Sequence, residues 1–184
     1  MNTYNESHNF KVVVVDDDII QTRPFLIEME SRGIEVIAFN NADECVEFIN
    51  SGVPIALFIV DIMLRSRGYY SPELTGNYQL TGLSLSRDIR NGYNEIPIIL
   101  FTNTARKDLV EEIRRVSDLI GNCVLIQKHT ITEMGQFAGI VEYVLRNGVK
   151  DITSKSLWER IKENVFFKPS VFGVGIDVKG LSKK

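Results

Sequence analysis

Asp16-Asp17-Asp18, Asp61, Thr102 and Lys128 each follow directly on a short apolar run. These carboxylates, a hydroxyl and an ammonium would meet if those runs lie side by side and end at one rim. Crowded carboxylates repel one another and raise their own pKa values unless a cation neutralises them. The set holds hard oxygen donors and no His or Cys, which points to Mg²⁺ or Mn²⁺ rather than Zn²⁺. Mg²⁺ keeps several waters and binds through one or two carboxylates together with a phosphate. The implied chemistry is phosphoryl chemistry, in which Lys128 would act as a point charge on a phosphoryl oxygen and the Thr102 hydroxyl would hydrogen-bond another. No Gly-x-x-x-x-Gly-Lys-Ser/Thr occurs, so a P-loop nucleotide site is excluded.

The elements that would position these groups are legible. Lys11–Val15, Ile55–Val60, Ile96–Phe101 and Cys123–Gln127 are continuous apolar runs, and Glu35–Phe39 is a weaker one. Runs of this kind fit strands covered on both faces. Helical spacing lies between them. Phe25, Leu26 and Met29 are closed by Gly33, and Val46 and Ile49 follow a cap at Asn41 or Asp43. Leu83, Leu85 and Ile89 end at Asn91-Gly92, and Leu109, Val110, Ile113 and Val116 mark a fourth helix. Phe137, Ile140, Val141, Val144 and Leu145 end at Asn147-Gly148. Strand and helix alternate five times, which predicts an α/β, doubly wound, five-stranded parallel sheet with right-handed crossovers. Sites in such sheets form at the carboxyl ends of the strands, which is where the polar groups above fall.

Val12-Val-Val-Val-Asp-Asp-Asp18, Leu57-Phe-Ile-Val-Asp-Ile-Met63, Pro97-Ile-Ile-Leu-Phe-Thr102 and Leu125-Ile-Gln-Lys128 together resemble the motifs of response-regulator receiver domains, over residues 10–148. The resemblance implies a flavodoxin-like (βα)₅ fold that takes a phosphoryl group from a histidine kinase or histidine phosphotransfer protein in a two-component system. On the matching positions, Asp61 would be the phosphoacceptor. Asp17 would bind the metal directly, Asp16 through water or as a second ligand, and Met63 through its backbone carbonyl. Thr102 and Lys128 would contact the phosphoryl group, while Asp18 serves as a helix N-cap. The only enzymatic behaviour implied is self-catalysed phosphotransfer and dephosphorylation.

The pattern departs from the family in four places. Residues 62–79 form an insertion before Gly82, the counterpart of the family's glycine at the third helix. The insertion is expected to be either a floppy excursion or a lid or partner-reading loop built on Arg65, Arg67, Tyr69, Tyr70 and Tyr78. His129 replaces the usual proline after the lysine, which predicts a turn rebuilt in trans. Leu125 stands at the usual aromatic switch position. Asn103 follows Thr102 where a small residue is common, narrowing access to the site. Tyr69, Tyr70, Leu125 and Phe172 are the candidate partner contacts.

Composition bounds the rest. The chain is 44% apolar and 24% charged with a net charge of −3, which fits an ordinary folded domain and argues against a general nucleic-acid binder. Cys45 and Cys123 lie in apolar stretches and are expected to be reduced. The amino-terminal residues show no secretory pattern, and no apolar run approaches the ~20 residues of a membrane helix. A cytoplasmic location is therefore expected, with no membrane partner. Residues 149–184 hold eight basic and four acidic residues and form an extension. Its patterns predict a helix over 156–167 and a strand through Phe172, Val174, Ile176 and Val178, docked on a partner or swapped in a homodimer. It is too short for a winged helix, so no direct DNA contact is expected and the output is an effector protein. Two alternatives stay open: a haloacid-dehalogenase-like phosphohydrolase with Asp16 as nucleophile and Asp18 as general acid, and a receiver-fold interaction module that is not phosphorylated. If Asn103 restricts water or donor, Asn103→Ala changes the lifetime of an aspartyl phosphate measured by its decay, and an unchanged lifetime removes that role.

Overall fold

Val12, Val13, Val14 and Val15 are all buried, although consecutive side chains on a strand point to opposite faces. Both faces of the sheet must therefore be covered. The computed structural model, which describes residues 11–149 except 78, 105, 133 and 134, shows how. Its order is β1 (Lys11–Val15), α1 (Ile19–Ser31), β2 (Glu35–Phe39), α2 (Ala42–Ile49), β3 (Leu57–Val60), α3 (Thr81–Gly92), β4 (Ile98–Thr102), α4 (Lys107–Ile120), β5 (Cys123–Gln127), a 3₁₀ turn (Lys128–Thr130) and α5 (Gln136–Asn147). The strands are parallel in the order β2-β1-β3-β4-β5. Val13, Val15, Phe58, Val60, Ile98 and Leu100 pack with α2, α3 and α4 on one face. Val12, Val14, Leu57, Ile59, Ile99 and Phe101 pack with α1 and α5 on the other. This is the α/β, flavodoxin-like doubly wound architecture expected from the alternating pattern. The helix–strand extension expected over 149–184, with Phe172, lies outside the described residues, as do the amino-terminal lead and Tyr78. No helix among the described residues is long and apolar enough to cross a membrane.

Two strand boundaries differ from the apolar runs. β4 begins at Ile98 rather than Ile96, and Pro97, which has no N–H to donate, takes part only through its carbonyl, accepting from Phe58 N at 3.1 Å. β3 begins at Leu57 rather than Ile55. Helix ends follow side-chain chemistry. Asp18 Oδ1 accepts from Gln21 N at 3.1 Å and caps α1; Asn41, not Asp43, caps α2 by accepting from Glu44 N at 3.0 Å.

Asp43 has another task. Its carboxylate accepts from Arg67 N at 2.8 Å and Tyr69 N at 2.9 Å, fastening the 62–79 insertion to α2. Burial pushes the Asp43 carboxyl up, but the donors of Tyr69, Arg67, Ser66 and its own backbone together hold it below the usual range. The Tyr70 hydroxyl donates to Asp88 Oδ2 on α3 at 2.6 Å, and Leu64, Tyr70 and Thr75 are buried. The expectation of a floppy excursion is therefore corrected: the segment is a packed cover over α2 and α3. Tyr70, expected among the partner contacts, is an inward anchor at 8% exposure, its hydroxyl satisfied by the half-buried Asp88. Tyr69 keeps an exposed ring at 58%, and Leu125 is half-buried against the core.

At the rim opposite the acidic groups, Arg90 of α3 gathers the loops that lead into β4 and β5. It donates to the carbonyls of Tyr93 (2.9 Å), Asn94 (2.6 Å), Ile96 (2.9 Å), Ile120 (3.1 Å) and Gly121 (2.8 Å). Hydrogen bonds from a charged donor are each worth more than neutral ones, and stripping the donor leaves several carbonyls unpaired. Arg90→Ala is expected to lower unfolding free energy by about 2–3 kcal/mol in urea titrations, with Arg90→Lys recovering only part because one ammonium cannot span the fork.

Candidate functional site

β1 and β3 are neighbours, and Val15 pairs with Val60. The next residue on each strand is an aspartate, so Asp16 and Asp61 emerge side by side, with Asp61 N donating to Val15 O at 2.8 Å. Asp17 completes the group: one carboxylate oxygen from each of Asp16, Asp17 and Asp61 lies within 4.8 Å of the others. From the turn that follows β5, the Lys128 ammonium reaches between them. Its Nζ donates to Asp16 Oδ2 at 2.7 Å and to Asp61 Oδ2 at 3.1 Å. The same Nζ stands 5.5 Å from the Phe101 ring centroid, so its aliphatic stem and charge are held against an aromatic wall. The Lys128–His129 peptide is trans, as expected for the rebuilt turn, and His129 is exposed on the 3₁₀ turn outside the carboxylate group.

The carboxylates differ in how they are satisfied. Asp16 is 2% exposed and fully engaged: Oδ1 accepts from Asp18 N at 2.9 Å, and Oδ2 accepts from the Thr22 hydroxyl at 2.5 Å as well as from Lys128. Asp61 is also buried, yet its Oδ1 has no hydrogen-bond partner. An unpaired buried carboxylate oxygen is costly, and here it belongs to a group of converging carboxylates. Burial pushes the Asp61 carboxyl above the usual range; Lys128 pulls it down and Asp16 pushes it up again. Asp17 is raised too, first by burial, with Arg65 pulling against it and Asp16 adding to it. Lys128 goes the other way: burial alone would lower it, and the charges of Asp61 and Asp16 overcome that and raise it. One ammonium thus leaves the group short of positive charge. The donor set and the orphaned Asp61 Oδ1 fit a hard divalent cation such as Mg²⁺.

The remaining expected residues lie near the same rim. Thr102 ends β4 and is fully buried, its hydroxyl accepting from Thr104 N at 3.3 Å. Met63 lies two residues past Asp61 and is 46% exposed. Asn103 is exposed beside Thr102. Gly82 has a direct steric role: a Cβ built on it would come within 1.9 Å of the Asp61 carbonyl oxygen. Its N–H donates to Ile62 O at 2.9 Å, so the start of α3 rests on the backbone that carries Asp61. Two contacts were not foreseen. Thr22, 2% exposed on α1, orients Asp16, and only the phase of α1 could have pointed to it. Arg65 of the insertion pairs with Asp17, Nε to Oδ2 at 3.1 Å, through a loop path that the sequence pattern does not encode.

No family model and no curated protein matches this sequence. Solved structures do match in fold. The receiver domain of NtrX from Brucella abortus is 20% identical, with 74% of this chain and 99% of that one covered and a TM-score of 0.57. A response regulator from Thermotoga maritima is 22% identical over 76% of this chain and 99% of that one, with a TM-score of 0.56. A protein from Chloroflexus aurantiacus described as a response regulator is 18% identical over 75% and 98%, with a TM-score of 0.57. At these identities the likeness is one of fold: the chain has the receiver-domain fold.

Two outcomes follow from the geometry. Gly82→Ala, which forces backbone against backbone, is expected to lose stability and to shift the amide resonances of Asp61 and Ile62 in ¹⁵N spectra; unchanged resonances would contradict the close approach. Because folding raises the Asp61 pKa, its charge opposes folding fully above the folded-state pKa and ceases to do so below the unfolded value near 3.8. Without divalent cations, Asp61→Asn is therefore expected to be more stable than wild type at pH 7, the gain shrinking as pH falls through that window. A variant less stable than wild type at pH 7 would contradict this sign.

Proposed function

We propose that this receiver-fold chain is a phosphoacceptor of two-component signalling, taking a phosphoryl group onto Asp61 from a phosphohistidine of a histidine kinase or histidine phosphotransfer protein. The observation that carries the reading is the arrangement around Asp61: a buried carboxylate with one oxygen on Lys128, the other unpartnered, and Asp16 and Asp17 within reach of the same point. Asp16, the nucleophile of a phosphohydrolase reading, has both oxygens already engaged.

Asp16, Asp17 and Asp61 would hold Mg²⁺, with the Met63 carbonyl as a further ligand. When bound, the ion supplies charge neutralisation on the transferring phosphoryl oxygens. The chain's own residues do the rest. The Asp61 carboxylate attacks phosphorus in line; an O–P bond forms, the P–N bond to histidine breaks, and the imidazole leaves with its electron pair. Lys128, already beside Asp61 Oδ2, stays as counter-charge to the product. Asp16, pinned by Thr22 and Asp18 N, keeps Lys128 aimed at Asp61. Catalysis is positioning and electrostatics, with no turnover of a separate substrate.

The acyl phosphate carries roughly 1.5–2 negative charges where the carboxylate carried one, and it brings three acceptor oxygens to the rim. The Thr102 hydroxyl, now on Thr104 N, is the nearby donor that would turn to them and draw in the loop before α4. Such a shift biases a two-state surface, read by an effector protein or a second copy of the chain. Incubation with acetyl phosphate or phosphoramidate and Mg²⁺ is expected to add one phosphoryl group by intact mass, and to add none in Asp61→Asn or when EDTA replaces Mg²⁺. A wild-type chain that stays unmodified, or an Asp61→Asn chain modified equally, would overturn the reading.

A further inference from the structure

Arg65 sits where the insertion leaves the acidic rim, and its backbone is held in place. Its carbonyl accepts from Ala42 N at 3.1 Å, while Arg67 N and Tyr69 N donate to Asp43. The Arg67 guanidinium is turned aside to Glu44, at 3.4 Å. With the chain docked on α2 at both sides, the Arg65 side chain crosses to Asp17, Nε to Oδ2 at 3.1 Å. The two partners differ in exposure: the Arg65 side chain is 83% exposed and that of Asp17 is 21% exposed. A cavity of about 280 Å³ beside them, bounded by Asn40, Asn41 and Ser66, gives the guanidinium space to move.

This contact takes a lone pair of one of the three clustered carboxylates and places a positive charge beside the point where their oxygens converge. Lys128 is buried and shared by Asp16 and Asp61, so it stays. Arg65 is exposed, so releasing it to water costs little. We propose that Arg65 is a tethered competitor for the divalent cation: it pairs with Asp17 in the metal-free chain and must leave when Asp17 becomes a ligand. Arg65 thereby lowers the site's affinity for the cation, and its release couples occupancy of the rim to the surface of the insertion. The inference rests on the reading of Asp16, Asp17 and Asp61 as a divalent-cation site.

The test is calorimetric titration of MgCl₂ into the full chain, without phosphodonor, at low ionic strength, for wild type, Arg65→Ala and Arg67→Ala. Arg65→Ala is expected to bind Mg²⁺ about fivefold more tightly than wild type, the scale of one exposed ion pair, and the gain should shrink in high salt as screening removes the charge effect. Arg67→Ala, which loses a neighbouring charge that pairs with Glu44 instead, is expected to bind like wild type. Equal or weaker binding by Arg65→Ala, or equal tightening by Arg67→Ala, overturns the role of Arg65 and leaves the cation site standing. Absence of Mg²⁺ binding in all three chains overturns the cation site and this inference together.

Discussion

Everything at the acidic rim depends on one electrostatic imbalance: three carboxylates gathered around a single buried ammonium. Lys128 bonds Asp16 and Asp61 at once, yet Asp61 and Asp17 are both held above the usual carboxylate range, burial being the largest cause for each. For these two groups the desolvation of charge outweighs the attraction that one lysine supplies. Crowded, under-compensated carboxylates are a poor way to stabilise a fold and a good way to bind a small hard cation with a phosphoryl group attached. The unpaired Asp61 Oδ1 is the same imbalance seen as a missing hydrogen bond.

The fold creates that imbalance through register. β1 and β3 are adjacent only because the chain crosses over β1 after β2, and the Val15–Val60 pairing then delivers Asp16 and Asp61 to the same level. β5 lies beyond β4, so Lys128 must span from the far side, steadied by Phe101 on the strand between. α3 begins so close to Asp61 that no side chain fits at Gly82. The opposite rim is made rigid by a different device, the Arg90 fork over the loops before β4 and β5. One end of the sheet thus has its polar groups satisfied, while the other keeps charge in reserve.

Much of this was legible in the residues. Four continuous apolar runs and a weaker fifth implied strands covered on both faces, and the carboxylates, threonine and lysine at their ends implied a common rim. Gly82 was placed despite the insertion by the resemblance to receiver domains, and the structure supplies the reason: a Cβ there would meet the Asp61 carbonyl oxygen. Boundaries shifted where local chemistry overrode the apolar pattern, as at Pro97. What periodicity could not show were contacts set by tertiary path. Thr22 reaches Asp16 by the phase of α1, Tyr70 turns inward because Asp88 offers an acceptor, and Arg65 meets Asp17 because Asp43 and Ala42 hold the insertion against α2. Aromatics in an irregular stretch read as a surface; one of the pair is in fact an anchor.

The identity of the acceptor side chain is the point on which the account turns, and an acyl phosphate can be marked chemically where it sits. Reduction with borohydride after treatment with phosphoramidate and Mg²⁺ converts a phosphorylated aspartate to homoserine, which tandem mass spectrometry of peptides locates by residue. The account predicts homoserine at position 61 and aspartate unchanged at 16, 17 and 18. Homoserine at any of those three with position 61 intact would contradict it.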